Sequence, residues 1–386
     1  DPDYYPYQTL YGLGYKNGSE AGAYFTVIAN PSLKWETQIS TDIALEFGLF
    51  DRLTGTIEYF KKDSKDLLFD VSQPASVGVT SIIQNIGKVT NSGVEIELDY
   101  NAFKNKDWSV SVGANATFVK NKIKNLPATM KENGYISGSK KWLEGKSIYE
   151  FWLRQWHGVD PQTGDGLYVA DVSKYNQGNI GTGDGNITQS QFDEYKKTVV
   201  TIDGKELTNS YTYAKYDFSG SSIPDVYGGF NVRVSYKNFD LAAVFSYQLG
   251  GQILDTNYAT MMSMTEFGYA QSPDLLKAWK QAGDITEVPR IDNSAAHTTN
   301  IGQSYSTRWL TSSDYLNLRS VTIGYQLPKT WLSKVMLKSA RLNLTAENLF
   351  MLKARQGLNP MANYSGVTYN EYMPSRNITL GLNVSF

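Results

Sequence analysis

The side chains able to carry chemistry in this chain are few and scattered. Asp160 and Asp165 bracket a turn in QWHGVDPQTGDGLYV, and two carboxylates are the minimum kit for glycoside hydrolysis. Nothing in their spacing sets them across a substrate, so turn formation is the expectation for both. GTGDGNITQSQF has the texture of a calcium loop, with Asp184, Gly185 and Ile187 at suitable relative places. Calcium would also want an acidic or amide ligand at 180 and at 182 and a carboxylate at 191. The chain offers Ile180, Thr182 and Gln191 there, so the 180–191 loop is expected to be a polar turn and no cofactor is expected. The two histidines, His157 and His297, are far apart in sequence, and there is no cysteine. Multi-histidine sites, thiolate metal sites and thiol nucleophiles are therefore not available. The chain has no G-x-S-x-G elbow, P-loop or H-E-x-x-H, and it is not expected to be an enzyme.

Aromatic residues are the stronger candidates. The chain has 27 Tyr, 16 Phe and 8 Trp. A flat ring can cover the C–H face of a sugar or anchor a protein interface at low entropy cost. Those in connecting segments are Trp142, Trp152, Trp156, Tyr168, Tyr211, Tyr213 and Trp309, candidates for contact with a ligand or with a partner lid. Among the charged residues, Glu95, Glu97 and Asp99 recur at every second position, and Arg233 occupies an equivalent place in a later segment. All four suit a hydrated interior. Net charge is −2, which gives no basic field for nucleic acid.

The elements that must position these residues are strands. In WETQISTDIALEFGLF the odd positions Ile39, Ile43, Leu45, Phe47 and Leu49 are apolar, with Gln38, Ser40, Asp42 and Glu46 between them. SGVEIELDY sets Val94, Ile96, Leu98 and Tyr100 against the three carboxylates. WSVSVGANATF, VYGGFNVRVSY, FDLAAVFSYQL, ARLNLTAENLF and the closing NITLGLNVSF alternate in the same way. This is the period of a strand with two unlike faces. In DYLNLRSVTIGYQL the phase slips: Leu316 and Leu318 are even, whereas Val321, Ile323 and Tyr325 are odd. A β-bulge near Arg319–Ser320 reconciles them.

Short and long joins alternate. The short ones lie at FDR near Asp51, at FKNK near Asn105 and at Lys237–Asn238. The long ones are expected at about 63–87, 122–146, 172–225, 255–314 and 352–374. Tight turns on one side and long loops on the other describe an outer-membrane barrel. LPKTWLSKVMLKSA, with Lys329, Lys334 and Lys338, reads as a small helix or turn on the short side. Local signals add a helix in SPDLLKAWKQAG, capped by Ser272 and stopped at Gly283, a capping box of Thr188 and Gln191, and a hairpin turn at Asp203–Gly204.

The expected fold is all-β: a transmembrane antiparallel β-barrel with long extracellular loops, of which this chain supplies about eleven strands. Residues 1–34 are expected as an extracellular loop leading into the barrel, and 35–386 as the C-terminal half. No apolar run approaches a spanning helix, and mean hydropathy is −0.37, as suits strands with one apolar face. The competing architecture is a soluble, secreted β-rich module that uses its loop aromatics to bind carbohydrate. Its strands would bury one face as a core. The barrel is favoured by strands longer than the usual soluble length. Trp35, Tyr59, Tyr100, Trp108, Tyr236 and Tyr325 also sit near strand ends, where interfacial girdles form.

Several segments together, NPSLKWET, IGKVTNSGVEIEL, YKNFDLAAVFSYQLGGQI, AWKQAGDITEVPRI, YLNLRSVTIGYQLP, AENLF and LGLNVSF, resemble the C-terminal half of SusC/RagA-type TonB-dependent transporters of Bacteroidetes. The resemblance runs through nearly the whole chain. It implies a barrel of about 22 strands with a plugged lumen in the bacterial outer membrane, and a SusD-like surface lipoprotein closing over its mouth. Import of oligosaccharides, or in some members peptides, would be driven through the TonB complex. The plug and TonB box of such proteins lie toward the N-terminus, and nothing here resembles them; a passive porin is the alternative that a plug would exclude. The resemblance also gives Phe386 a role: a final amphipathic strand ending in an aromatic ring is the signal read by the barrel-assembly machinery.

Overall fold

The computed structural model describes residues 7–386 apart from 184, 265–267, 269, 303–304 and 333–336. Asp184 of the 180–191 loop and Lys334 of the short join lie outside the described residues. The chain forms two compact units. One comprises Asp1–Tyr100, Gly113–Ser137 and Lys141–Ile148, and the other Asn101–Val112, Gly138–Lys140 and Tyr149–Phe386.

In the first unit, β1 (Leu10–Asn17) and β2 (Glu20–Val27) form a hairpin inside the segment expected to be loop. β3 (Thr37–Leu49), β4 (Leu53–Ser72), β5 (Ser81–Lys104) and β6 (Trp108–Asn125) then follow in antiparallel order, the last two shared in part with the second unit. The β3–β4 turn places Phe50 at φ 55° and Asp51 at φ 52°, the left-handed pair whose twist matches the flanking strands. Ile43 is opposite Tyr59 and Leu45 opposite Ile57, so the apolar sets share one face. The segment expected as a long loop at 63–87 is mostly strand. Asp66 at φ 55° and register shifts beside Leu67 restart the ladder in the opposite phase. The Asn85 side chain ties the restart to the backbone of Lys34 and Asp66. Ile123, Leu126 and Met130 form a small core with Val89, Trp142 and Ile148.

The connections carry β7 (Tyr135–Ser137), β8 (Lys140–Trp142), β9 (Glu150–Arg154), β10 (Trp156–Val159), β11 (Gly166–Val169), α1 (Gln189–Thr198), β12 (Val199–Ile202), β13 (Lys205–Thr208) and β14 (Tyr216–Ser221). In the second unit β10, β11, β13 and β12 make one sheet in that order, and β14 pairs with β9. Its long strands are β15 (Val226–Tyr236), β16 (Phe239–Leu249), β19 (Tyr315–Gln326), β20 (Ser339–Glu347) and β22 (Asn377–Ser385), antiparallel in chain order. Between them lie β17 (Gln252–Leu254), α2 (Thr256–Met261), α3 (Ala295–Ile301), β18 (Leu310–Ser312), α4 (Lys329–Leu332) and β21 (Met351–Lys353). The longest strands among the described residues are four and five, and shorter strands carry the total past the eleven or so expected. The difference lies in the short strands of the connections.

The register of β16 on β19 passes from Val244 opposite Ser320 to Phe245 opposite Leu318. Arg319 is the extra residue, where the phase slip put it. The helix expected at 272–283 is shorter. Ser272 caps it, but it is a 3-10 helix ending at Lys277. Trp279 leaves the helical path because its backbone N–H bonds to the Val288 carbonyl and its indole to the Pro161 carbonyl.

The second unit's buried clusters lie in the connections: Phe151, Leu153, Leu254 and Trp309 in one, Tyr175, Ile187, Tyr195 and Tyr213 in another. The apolar face of the long strands is uncovered. Leu380 and Ile378 are each 73% exposed and Ile43 is 66% exposed. A soluble sandwich would bury this face, and an apolar surface of such extent in water is a liability. In a bilayer it is the face that meets hydrocarbon.

Candidate functional site

The aromatic residues of the connections gather around two arginines. On β9, the Trp152 ring stacks at 6.3 Å on Tyr216 and meets Phe218 edge-on at 4.9 Å. β14 pairs with β9 so that Phe218 stands opposite Trp152 and Tyr216 opposite Arg154, which places these rings on adjacent strands. Arg154 lies 4.7 Å from the centre of the Tyr216 ring and 5.1 Å from that of Tyr211, and its Nε donates to the Tyr211 carbonyl at 3.1 Å. Arg308 lies 4.7 Å from the Trp156 ring and 4.3 Å from that of Trp309, and donates to the Ile301 carbonyl at 3.1 Å. Burial brings its guanidinium down to about 10, with Tyr168 and Tyr258 pulling the other way. Guanidinium groups over ring faces hold loops with little dependence on apolar volume.

Seven rings were singled out from sequence, and the structure separates them. Tyr168, Tyr213 and Trp309 are buried, so they pack the loops and have no open face for a ligand. The Tyr168 hydroxyl donates to the Asn300 carbonyl at 2.7 Å. The Tyr213 hydroxyl donates to Glu194, and burial, with that carboxylate next, pushes it up to about 12. Trp142 is half-buried among Tyr135, Phe69 and Ile123. Trp152, Trp156 and Tyr211 are half-buried and keep accessible surface. Sequence reasoning missed Arg154, Arg308 and Tyr216. An arginine next to or between aromatic residues, as in YSTRWL, is the signal that could have found them.

Beside Tyr211 lies a cavity of about 630 Å³ whose wall includes Asp165, Arg290, Ser294, His297 and Asn300. Arg290 Nε donates to Asp165 at 3.0 Å, and its NH1 reaches Asp292 at 3.0 Å. Asp165 is therefore one end of an ion pair. Asp160 accepts from the Gln162 N–H and the Thr163 hydroxyl, the turn role expected of it. The Gln191 side chain is engaged in the capping box with Thr188, so α1 is anchored through the residue a calcium loop would need as a carboxylate. Among the described residues, no three His, Asp or Glu side chains stand together as a metal ion would need.

Glu95, Glu97 and Asp99 project from the face of β5 opposite Val94, Ile96 and Leu98, with Glu58 directly across from Glu95. Two like charges facing each other across a ladder are tolerated only where water screens them. Arg233 lies exposed on the polar face of β15, opposite Ala242. Phe386 follows β22 and is 81% exposed.

Long two-faced strands with an uncovered apolar side, tight turns at one end and ring-packed loops at the other define an outer-membrane β-barrel segment. The chain resembles the TonB-dependent receptor-like β-barrels: the family described as "TonB dependent receptor-like, beta-barrel" matches residues 2–190. It is 29% identical over 384 residues to TonB-dependent receptor P3 of Formosa agariphila, covering 95% of this chain and 36% of that protein. It is 24% identical over 372 residues to TonB-dependent receptor SusC of Bacteroides thetaiotaomicron, covering 92% and 32%. Among solved structures, the RagAB peptide importer in its closed-closed state superposes with a TM-score of 0.76 at 25% identity, covering 99% of this chain and 39% of that one. The chain spans about a third of the length of the curated relatives it matches.

Proposed function

We propose that this chain is the C-terminal barrel half of a TonB-dependent outer-membrane importer of oligosaccharides, with a SusD-like surface lipoprotein as its lid. The observation that carries the reading is the uncovered apolar face running along the long strands of each unit, opposite a face of Asp, Glu, Asn, Arg and Thr. Such a segment is at home only between lipid and a wet lumen. Cargo would be captured between loops and lid, and rearrangement of a plug pulled by the TonB complex would admit it. Glu95, Glu97, Asp99 and Arg233 would line the lumen or face the plug. Trp152, Trp156 and Tyr211, which keep accessible surface, would meet cargo or lid. We assign the chain no catalytic role; the relatives it matches are named as receptors. Peptide cargo is the second reading, favoured by the structural neighbour described as a peptide importer.

The test is fractionation of cells expressing the full-length gene product and a variant lacking Phe386. The reading expects a heat-modifiable outer-membrane band whose yield falls when Phe386 is removed, since the barrel-assembly machinery would read the aromatic ring that follows β22. A water-soluble protein indifferent to the deletion would refute it.

A further inference from the structure

The bulge on β19 builds a pocket that the importer reading leaves without a task. Arg319 is the residue added to the strand, and a bulge re-aims the side chain it adds. Its backbone is fixed on both sides. The Arg319 carbonyl accepts from the Asn348 N–H at 3.0 Å, and the Leu318 N–H donates to the Phe350 carbonyl at 3.1 Å. Asn348 itself sits at φ 51°, where β20 breaks and β21 takes over the pairing with β19. Two irregularities on neighbouring strands thus meet at one point, and a cavity of about 490 Å³ opens there.

The wall of this cavity includes Ser246, Asn317, Arg319, Glu347, Asn348 and Met361. Asn317 and Ser246 face each other across the ladder on the polar side of the sheet. The carboxylates nearby have other work. One oxygen of Glu347 accepts from the Asn377 amide at 3.2 Å, and lower on the same face Asp240 is paired with Arg341 at 2.6 Å. Among the described residues, no carboxylate lies within ion-pair distance of the Arg319 guanidinium. It is an exposed cation with its fork unused, beside a nearly buried amide at Asn317.

A planar guanidinium fork matches an oxyanion with two parallel bonds. We infer that the Arg319 pocket is a subsite for an oxyanion carried by the cargo, a carboxylate above all, so that the transporter favours anionic oligomers over neutral ones. The inference rests on the importer reading, because the polar face of β19 lies on the cargo's path only in a barrel. Two cargo classes carry that group: peptides at their C-terminus, and oligosaccharides containing uronic acids.

Isothermal titration of the full-length protein in detergent tests it, with four probes: tetra-alanine as free acid and as C-terminal amide, tetragalacturonate, and maltotetraose. Wild type is expected to bind at least one anionic probe roughly tenfold or more tighter than its neutral counterpart, the range for hydrogen bonds to a charged group. Arg319→Gln is expected to erase that preference while leaving the neutral probe's affinity in place. Arg319→Lys, which keeps the charge and loses the fork, is expected to fall between. Preference for the free acid over the amide identifies a peptide carboxylate, and preference for the galacturonate over the maltose series identifies a sugar acid. Heat-modifiability shows whether each variant has assembled. Should Arg319→Gln fail to assemble, the wild-type preference and the Arg319→Lys values decide. Equal binding of anionic and neutral probes by wild type, or a preference that survives Arg319→Gln, overturns the subsite and leaves the importer standing. Binding of none of the four by assembled wild type also overturns the subsite, whereas a protein that gives no heat-modifiable outer-membrane band overturns the importer reading itself.

Discussion

The ring of Phe60 lies over Gly93 on the neighbouring strand. The two residues are paired across β4 and β5, and a β-carbon at Gly93 would stand 2.6 Å from the Phe60 ring and closer still to the Phe118 carbonyl oxygen. A strand glycine weakens a ladder unless something fills its place, and here an aromatic ring on the partner strand does so. Gly93→Ala is therefore expected to destabilise the assembled protein, although alanine is the better strand residue. Overpacking of this kind costs about 1–3 kcal/mol. The shift from folded to unfolded mobility on a heated gel measures it, and the midpoint should fall. Pairing the change with Phe60→Leu should recover part of the loss.

Asn300 gathers two separate segments, β11 and the turn at Tyr211, onto α3. Its carbonyl accepts from the Tyr168 hydroxyl, its side-chain oxygen from the Tyr211 N–H at 2.7 Å, and its amide donates to the Gly166 carbonyl at 3.2 Å. Tyr168→Phe removes one bond to a buried carbonyl, at a cost of about 1 kcal/mol. Asn300→Ala removes two and should cost more. Hydrogen exchange at the Tyr211 amide is the readout: a modest acceleration is expected in the first variant and a larger one in the second.

Lys140 is buried against Phe151, with its ammonium 3.1 Å from the ring centre. The ammonium donates to the Tyr149 carbonyl at 2.8 Å and to Ser222 Oγ at 3.3 Å. Burial brings it down from 10.5 to about 7, with the Glu150 charge pulling the other way. The folded-state value lies below the unfolded one. Between about 7 and 10.5 the unfolded chain thus holds a proton that the folded chain has released. The local fold is expected to gain stability as pH rises through that window, and to lose none of this contribution on further increase. Lys140→Met keeps the length and removes the charge. Amide exchange around 149–153 should slow with rising pH in wild type, after correction for intrinsic rates, and show no such trend in the variant.

The sequence was most legible where one rule governs. Alternation located the long strands, and the phase slip at Arg319 located the bulge, because a period of two leaves no other way to keep Leu318 and Val321 on one face. Asp203 at φ 49° and Gly204 at φ 75° make the hairpin turn that their residue types demand. It was least legible where tertiary contacts decide. The extension of β4 and β5 was hidden because Asp66 interrupts the alternation with a bulge rather than an end. The helix at Ser272 ran short because Trp279 is held by Pro161 and Val288, partners no local rule names. The candidate rings divided in the same manner. Composition marks an aromatic residue as an anchor, but only the fold decides whether the ring is buried against its neighbours, as with Tyr213, or keeps accessible surface, as with Tyr211.

The central claim is that one face of each long strand meets lipid and the other meets water. The chain contains no cysteine, so single cysteines can be placed in it with no background from these 386 residues. Ile378, Thr379, Leu380, Gly381, Leu382 and Asn383 of β22 would each be changed to Cys, and the protein would be spin-labelled and reconstituted in bilayers. Collision with oxygen, which concentrates in hydrocarbon, would then be compared with collision with a water-soluble nickel chelate. The account predicts a strict alternation, with oxygen accessibility high at 378, 380 and 382 and chelate accessibility high at 379, 381 and 383. Equal accessibility to the chelate at all six positions, or no alternation, would contradict it.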